Sequence, residues 1–325
     1  MTVKEVFELR KQGKIEEAYE TIRPMYAVHQ GKYTTLCMFW TASDILKKRV
    51  KEQRLDEAEK IFKALLRILP RIDDQDGRAR SSILHEAILL DKESKTFRML
   101  DFVEQLKVDQ LSDDDWKNIT PMPKADSSAK DEGETSSSQV NRYTIPSVAQ
   151  QLLTCAFHEI QEEPTADNAL KVMPLLQEAV RRHPHDKNNQ RYMAIIYRIM
   201  GQREKAVDIY RQLLTRYHDS YLYAELAELT NEPGQKAALL CSAIKNQRQE
   251  QFCSGYRLDL ARLLMDRDKP KAAYELQKCI ATRQSQGFHP TREMQQMLSQ
   301  LNGVQPSTDT EQRTFYQQII AKYPH

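Results

Sequence analysis

Residues 200–206 read Met200-Gly201-Gln202-Arg203-Glu204-Lys205-Ala206, and three related segments occur elsewhere in the chain. The related segments are Gln12-Gly13-Lys14-Ile15-Glu16-Glu17-Ala18, Glu52-Gln53-Arg54-Leu55-Asp56-Glu57-Ala58 and Arg267-Asp268-Lys269-Pro270-Lys271-Ala272-Ala273. Each segment follows one amphipathic stretch and precedes another, so each predicts a tight turn between two helices. The small alanine at its end would let those two helices cross closely. The chain is therefore expected to be all-α and built of antiparallel helix pairs.

The spacing beyond the turn extends the pattern. Packing residues and a helix-ending proline follow Ala58 at the positions of Phe62, Leu65 and Pro70. Val172 precedes Ala206 by 34 residues. These stretches resemble the tetratricopeptide repeat (TPR), a helix–turn–helix unit of about 34 residues. The resemblance implies an α-solenoid of stacked helix pairs, a fold that supplies extended surfaces for binding proteins.

Six TPR-like units are predicted, at residues 1–31, 34–72, 147–185, 187–218, 219–250 and 254–287. Pro24 and Pro174 fall inside predicted second helices, where a proline removes a backbone hydrogen bond and is expected to kink or break the helix. A further helical stretch is predicted over residues 81–106, and Ser112 precedes an acidic cluster that predicts a helix start. Thr308 to Glu311 form a capping-box sequence that predicts a final helix.

The predicted domain organisation has four parts. An N-terminal helical module at 1–119 contains two TPR-like units and extra helices, and an array of about four units follows at 143–303. Residues 304–325 form a C-terminal helix. Residues 120–142 are rich in Ser, Pro, Gly and charged residues and carry too little apolar surface to offset the entropy of ordering. They are predicted to be a disordered linker between the two modules.

Composition narrows the class of protein. The 325 residues contain 48 Lys and Arg against 46 Asp and Glu, a net charge of +2 that excludes a strongly basic nucleic-acid wrapper. Only 9 Gly and 13 Pro are present, which favours a helical chain. No signal peptide and no apolar run of about 18 residues is found. The five cysteines are scattered, which is typical of a reducing compartment. A cytoplasmic protein is expected.

No motif for catalysis or cofactor binding is found in the sequence. Glycine-rich phosphate loops are absent, and Glu162 and Leu89 stand where a zinc-binding His-Glu-x-x-His helix would need its second histidine. The sequence therefore predicts a non-enzymatic protein without a metal or a cofactor.

The candidate binding site is a run of first-helix residues. Residues 176–218 contain nine Lys and Arg against four acids, and Arg191 and Arg198 lie two helical turns apart. The TPR resemblance places them in a groove that would bind a protein or peptide, with acidic character. The predicted partner-binding residues are Arg191, Tyr192, Ile195, Arg198, Lys47 and Arg262. The alternative is a nucleic-acid-binding helical array that uses the Arg- and Tyr-rich stretch at 181–223, and no membrane contact is expected.

A narrower resemblance concerns three segments. These are Met1-Thr2-Val3-Lys4-Glu5-Val6-Phe7-Glu8-Leu9-Arg10, Arg191-Tyr192-Met193-Ala194 and Tyr221-Leu222-Tyr223-Ala224-Glu225-Leu226-Ala227-Glu228-Leu229. They look like segments of the bacterial TPR-like proteins linked to TOTE conflict systems, which are NTP-dependent defences against invading elements. The resemblance implies a non-enzymatic helical component of such a system.

Overall fold

The computed structural model describes residues 2–118 and 144–324, and it confirms the all-α prediction for them. The predicted linker at 120–142 lies outside the described residues. Sixteen α-helices form in the described ranges. They are α1 (Val3–Lys11), α2 (Ile15–Val28), α3 (Lys32–Lys51), α4 (Leu55–Ile68), α5 (Arg78–Glu93), α6 (Met99–Gln105), α7 (Val148–Glu162), α8 (Ala166–Arg182), α9 (Lys187–Ile199), α10 (Arg203–Leu214), α11 (Ser220–Glu228), α12 (Pro233–Asn246), α13 (Ser254–Leu264), α14 (Lys269–Ser285), α15 (Arg292–Gln300) and α16 (Asp309–Lys322).

The repeated turn segments have the expected conformation. Gly13 and Gly201 adopt left-handed backbone angles, with φ of 76° and 73°, which glycine reaches without a Cβ clash. Gln53 takes the equivalent position in the second segment with φ of 58°, and it is the one non-glycine residue with positive φ in the described chain. Ala58 and Ala206, at the ends of their segments, are fully buried. The small side chain therefore sits at a close helix crossing, as predicted.

The six predicted units correspond to six helix pairs that pack against each other. The pairs are α1–α2, α3–α4, α7–α8, α9–α10, α11–α12 and α13–α14. Consecutive pairs also pack together, through α2 and α3, α10 and α11, and α12 and α13. Each helix pair buries its apolar face against its neighbours, which is how repeat proteins form a continuous core.

Two compact units result, Met1–His183 and Pro184–His325, which we call unit 1 and unit 2. This boundary differs from the predicted one at 120–142. Helices α7 and α8 pack against α5 and α6, so they belong to unit 1 although they follow the predicted linker in sequence. The large fully buried side chains of unit 1 include Phe39, Ile45, Leu46, Ile83, Leu90 and Phe157. Composition identifies a polar segment, whereas the unit boundary depends on which helices pack together.

Two separate modules would come apart when the chain is cleaved in the predicted linker. The observed packing predicts a different result. A protease site inserted after Ser128 should give two fragments that stay associated, because helices from both fragments form one buried core in unit 1. Size-exclusion chromatography after complete cleavage measures this. Separate elution of the two fragments under native conditions would contradict the assignment of α7 and α8 to unit 1.

Unit 2 contains three helix pairs followed by α15 and α16. Helix α15 was not predicted, and it buries only Met294 and Met297. Helix α16 begins with the predicted capping box, in which Thr308 and Glu311 bond reciprocally, and it packs against α12. The fully buried side chains of unit 2 include Ala206, Tyr210, Leu222, Leu260, Ala261 and Leu276.

A buried polar network holds α16 in place. The carboxylate of Glu275 on α14 is fully buried, and its Oε2 accepts a hydrogen bond of 2.7 Å from Nη1 of Arg257 on α13. Its Oε1 accepts hydrogen bonds from the Tyr316 hydroxyl and from Nε2 of Gln312, both on α16. Arg257 also donates to Glu250 through Nε at 2.6 Å. The Glu275 carboxylate on α14 is therefore hydrogen-bonded to both α13 and α16.

One local prediction was wrong, and of the kink or break expected at the two inner prolines the structure excludes the break. Helices α2 and α8 continue through Pro24 and Pro174 without a break. Both prolines are exposed, so the opposite faces of the helices keep the packing that stabilises them. The residues after Ser112 form only a single 3-10 turn, Asp114–Trp116. There Asp115 accepts hydrogen bonds from the backbone and hydroxyl of Ser112, which closes the turn locally instead of starting a longer helix.

Candidate functional site

Arg191, the first predicted binding residue, forms an ion pair within unit 2. Its Nε lies 3.0 Å from each carboxylate oxygen of Glu225 on α11, and its guanidinium lies 4.7 Å from the centre of the Tyr221 ring. The Arg191 and Glu225 side chains are only 22% and 15% exposed. The groups that could bind an acidic partner are thus already used to join two consecutive helix pairs.

The other predicted cations of unit 2 repeat this arrangement. Arg198 on α9 pairs with Glu228 on α11. Arg262 on α13 donates two hydrogen bonds to Glu293 on α15, at 2.6 and 2.7 Å, and holds the pKa of Glu293 below its usual value. We call this set the first-helix ion pairs: Arg191–Glu225, Arg198–Glu228 and Arg262–Glu293. The first two connect α9 and α11, the opening helices of successive pairs, and the third connects α13 to α15, the helix that follows the last pair.

The remaining predicted site residues differ in their surroundings. Ile195 is 5% exposed and belongs to the core, because α9 turns its central residues inward, so its predicted role in partner contact was wrong. Tyr192 is half-buried. Lys47 lies in unit 1, where its Nζ is 3.2 Å from the Ser43 hydroxyl and 3.5 Å from the buried carboxylate of Glu86. Of the six residues, Lys47 therefore belongs to unit 1 and the other five belong to unit 2.

Because Arg191 is paired with Glu225, replacing it should reduce stability. Replacing an unpaired surface cation should have little effect. Arg191→Ala should lower the free energy of local unfolding by roughly 1–2 kcal/mol, because Glu225 then loses its charge partner in a half-buried site. The cost stays below that of a fully buried pair because both side chains keep some contact with water. Hydrogen exchange of residues 187–228, followed by mass spectrometry, measures this change. Exposed Arg211→Ala is the control, and equal exchange in both variants would contradict the prediction.

The basic stretch at 176–218 carries less free charge than its composition indicates. Five of its nine cations pair with carboxylates, namely Arg181, Arg182, Lys187, Arg191 and Arg198. Arg203 donates to the Leu229 carbonyl at 2.8 Å, and Lys205 lies over the Tyr197 ring. Most of the cations in the stretch are therefore neutralised by an acid or bound by another group of the same chain.

A different surface of unit 2 has cations without acidic partners. It is an open cavity of about 820 Å³ between the loop that joins α10 to α11 and the loop that joins α12 to α13. We call it the basic groove and define it by Arg216, Tyr217, Tyr221, Lys245, Arg248 and Phe252. Gln247 donates a 3.0 Å hydrogen bond to the Ser220 hydroxyl and so ties the two sides of the groove together.

A second cavity lies in unit 1 and has mixed charge. It measures about 400 Å³ and is lined by Phe62, Phe97 and Phe102 together with both cations and acids. Its Glu59 carboxylate already accepts hydrogen bonds from Ser94 and Thr96. The basic groove has the more one-sided charge of the two and is the stronger candidate for a site that selects its ligand by charge.

Two further properties bear on the site. In residues 2–118 and 144–324, no group of three His, Cys, Asp or Glu side chains is placed to hold a metal ion. Within those same ranges, no helix is both long enough and apolar enough to cross a membrane.

Two comparisons with known proteins give a match. A family model described as a domain of unknown function (DUF7017) matches residues 190–322, which contain the basic groove and all three first-helix ion pairs. Among solved structures, the chain is similar to a tetratricopeptide repeat protein from Parabacteroides merdae ATCC 43184, at 11% identity and a TM-score of 0.40. That alignment covers 92% of this chain and 96% of the other. A comparison with curated proteins finds no match.

Proposed function

We propose that this chain is a non-catalytic adaptor that binds a protein partner on the surface of unit 2. The observation that carries the proposal is the set of first-helix ion pairs. They fix the opening helices of successive pairs relative to one another, for example α9 to α11 through Arg191 and Glu225. A surface that is ordered before binding loses less conformational entropy when a partner arrives, which favours affinity.

The distribution of charge supports a protein partner over a nucleic acid. Nucleic-acid affinity comes largely from free Lys and Arg side chains that neutralise phosphates. In the stretch at 181–223, Lys187, Arg191 and Arg198 already pair with carboxylates of the same chain. The net charge of the whole sequence is only +2, so the chain as a whole has little excess charge to attract phosphates.

The resemblance to the helical proteins of TOTE conflict systems gives this proposal a biological setting. The partner would be another protein of such a defence system, and the complex would form in the cytoplasm. The chain would contribute a binding surface to that complex, and the NTP-dependent chemistry would belong to other components.

Site-directed photo-crosslinking in cells that naturally express the chain tests the proposal. A photoreactive residue is introduced into the full-length protein at Glu228, the exposed acid of the Arg198–Glu228 pair, or at exposed Gln249, at the rim of the basic groove. Replacing Glu228 leaves the Arg191–Glu225 pair intact. Exposed Ala321 on α16 is the control position. We expect a discrete protein adduct from Glu228 or Gln249 that survives nuclease treatment. Adducts that disappear with nuclease, or no adduct from either position, would contradict an adaptor function for unit 2.

A further inference from the structure

The basic groove contains positive charge that the chain does not neutralise. The side chains of Lys245 and Arg248 are exposed and form no ion pair or hydrogen bond within residues 2–118 and 144–324. In the same ranges the Arg216 side chain forms no ion pair, and its Nη1 lies 3.2 Å from Nδ1 of His185. These three side chains contrast with the first-helix ion pairs, where each cation has its own carboxylate.

The acids near the groove are already engaged. Asp219 is the one acidic residue among the described residues that line it, and its carboxylate accepts a 3.0 Å hydrogen bond from Lys187. Glu250 lies within the α12–α13 loop and is bound by two nitrogens of Arg257, at 2.6 and 3.1 Å. The groove therefore keeps an excess of positive charge from Arg216, Lys245 and Arg248.

The aromatic side chains of the groove differ in how open they are. Phe252 is 58% exposed, so much of its ring is open to a ligand. Tyr217 and Tyr221 are covered instead, because the Lys187 ammonium lies 5.4 and 5.7 Å from their ring centres. Arg191 also lies over Tyr221. One open aromatic surface is available to a ligand.

We propose that the basic groove binds an acidic, extended segment of the partner protein, with carboxylates at Arg216, Lys245 and Arg248 and one apolar side chain against Phe252. This inference rests on the adaptor function proposed above. Arginine and lysine form strong, charge-assisted hydrogen bonds with carboxylates, and a neighbouring apolar contact fixes the position of the segment along the groove.

The same features favour a peptide over single-stranded nucleic acid. Single strands bind to grooves in which several aromatic rings offer free faces to successive bases. Here Lys187 lies over Tyr217 and Tyr221, and Arg191 also lies over Tyr221, so Phe252 is the one of these three rings that no cation of the described chain covers. A peptide needs only one apolar anchor between its acidic residues.

Fluorescence polarisation with defined probes tests the proposal on the full-length chain. The first probe is a labelled twelve-residue peptide of Asp and Glu with one central leucine, the second has alanine in place of leucine, and the third is a twelve-nucleotide oligothymidine. We expect the leucine peptide to bind best. Lys245→Gln/Arg248→Gln should weaken its binding at least tenfold, because both charge-assisted contacts are lost. The matched control is Arg211→Gln/Lys269→Gln, which removes two exposed cations outside the groove and should change binding less than twofold.

Phe252→Ala supplies the second, independent test. It should weaken binding of the leucine peptide several-fold and leave the alanine peptide nearly unchanged, because only the leucine contacts Phe252. Circular dichroism melting curves verify that each variant is folded. The proposal is overturned if the groove pair and the control pair behave alike, if Phe252→Ala affects both peptides equally, or if oligothymidine binds best. If protein crosslinks form at Glu228 and any of these results is also obtained, the proposed adaptor function is kept and only the proposed ligand of the basic groove is rejected.

Discussion

Replacing Arg257 with methionine should lower the free energy of unfolding of unit 2 by about 3–5 kcal/mol, the range measured when one partner of a buried ion pair is removed. Arg257 and Glu275 are 7% and 0% exposed, so the remaining carboxylate cannot reach water. Glu275 would keep its hydrogen bonds from Gln312 and Tyr316 but would lose its nearest cation. Hydrogen exchange of residues 254–322 measures the change, and α16 should be the first helix to lose protection.

The pH dependence of this variant has a defined sign. Burial raises the pKa of Glu275, and Arg257 is the first of the groups that oppose this rise. Without Arg257 the folded-state pKa moves further above the unfolded value. Folding then favours the protonated acid, so the cost of the substitution is smallest below the unfolded pKa and grows as the pH rises towards the folded one. We expect a smaller destabilisation at pH 5 than at pH 7.5.

A matched double variant separates lost charge from lost packing. Arg257→Met/Glu275→Met removes both members of the pair and should be more stable than Arg257→Met alone, because no buried carboxylate remains. If the double variant were the less stable of the two, or if the single variant behaved alike at both pH values, the buried charge would not be what holds α16.

Ala206→Trp should be the other strongly destabilising substitution. Ala206 is fully buried where α9 and α10 cross, with fully buried Tyr210 and partly buried Tyr197 in the same core. An indole there must displace helices that are held by close packing, which costs about 1–3 kcal/mol or more. The melting midpoint followed by circular dichroism measures it. Ala321→Trp, at an exposed position of α16, is the control. An unchanged midpoint for Ala206→Trp would mean that Ala206 does not lie at a tight crossing.

Sequence reasoning succeeded where the structural signal is local. The turn segments around Gly13 and Gly201 depend on a left-handed residue followed by a small buried alanine, and both features can be read within seven residues. The same holds for the capping box of α16, formed by Thr308 and Glu311. Helix α15 was missed because it buries only two methionines in a polar stretch.

The candidate site was harder to predict because its contacts join distant residues. Glu225 lies 34 residues after Arg191, and Glu293 lies 31 residues after Arg262. The sequence did contain a signal for these ion pairs, namely an acidic residue about one repeat length after a cation of a first helix. The basic groove combines two separate loops, at Arg216 and at Lys245 to Phe252, and only the fold brings them together. The boundary between units 1 and 2 was missed because it too depends on which distant helices pack together.

We propose that the open binding surface of unit 2 is the basic groove, because the first-helix cations already have carboxylate partners. Calorimetric titration of the full-length chain with the acidic leucine peptide tests this claim most directly. Two double variants are compared at a temperature where both are folded, namely Lys245→Gln/Arg248→Gln and Arg191→Ala/Arg198→Ala. We predict at least tenfold weaker binding for the first and a clearly smaller loss for the second, which loosens α9 against α11 but removes no cation of the basic groove. Strong loss in the second with none in the first would contradict the claim and return the site to the first-helix surface.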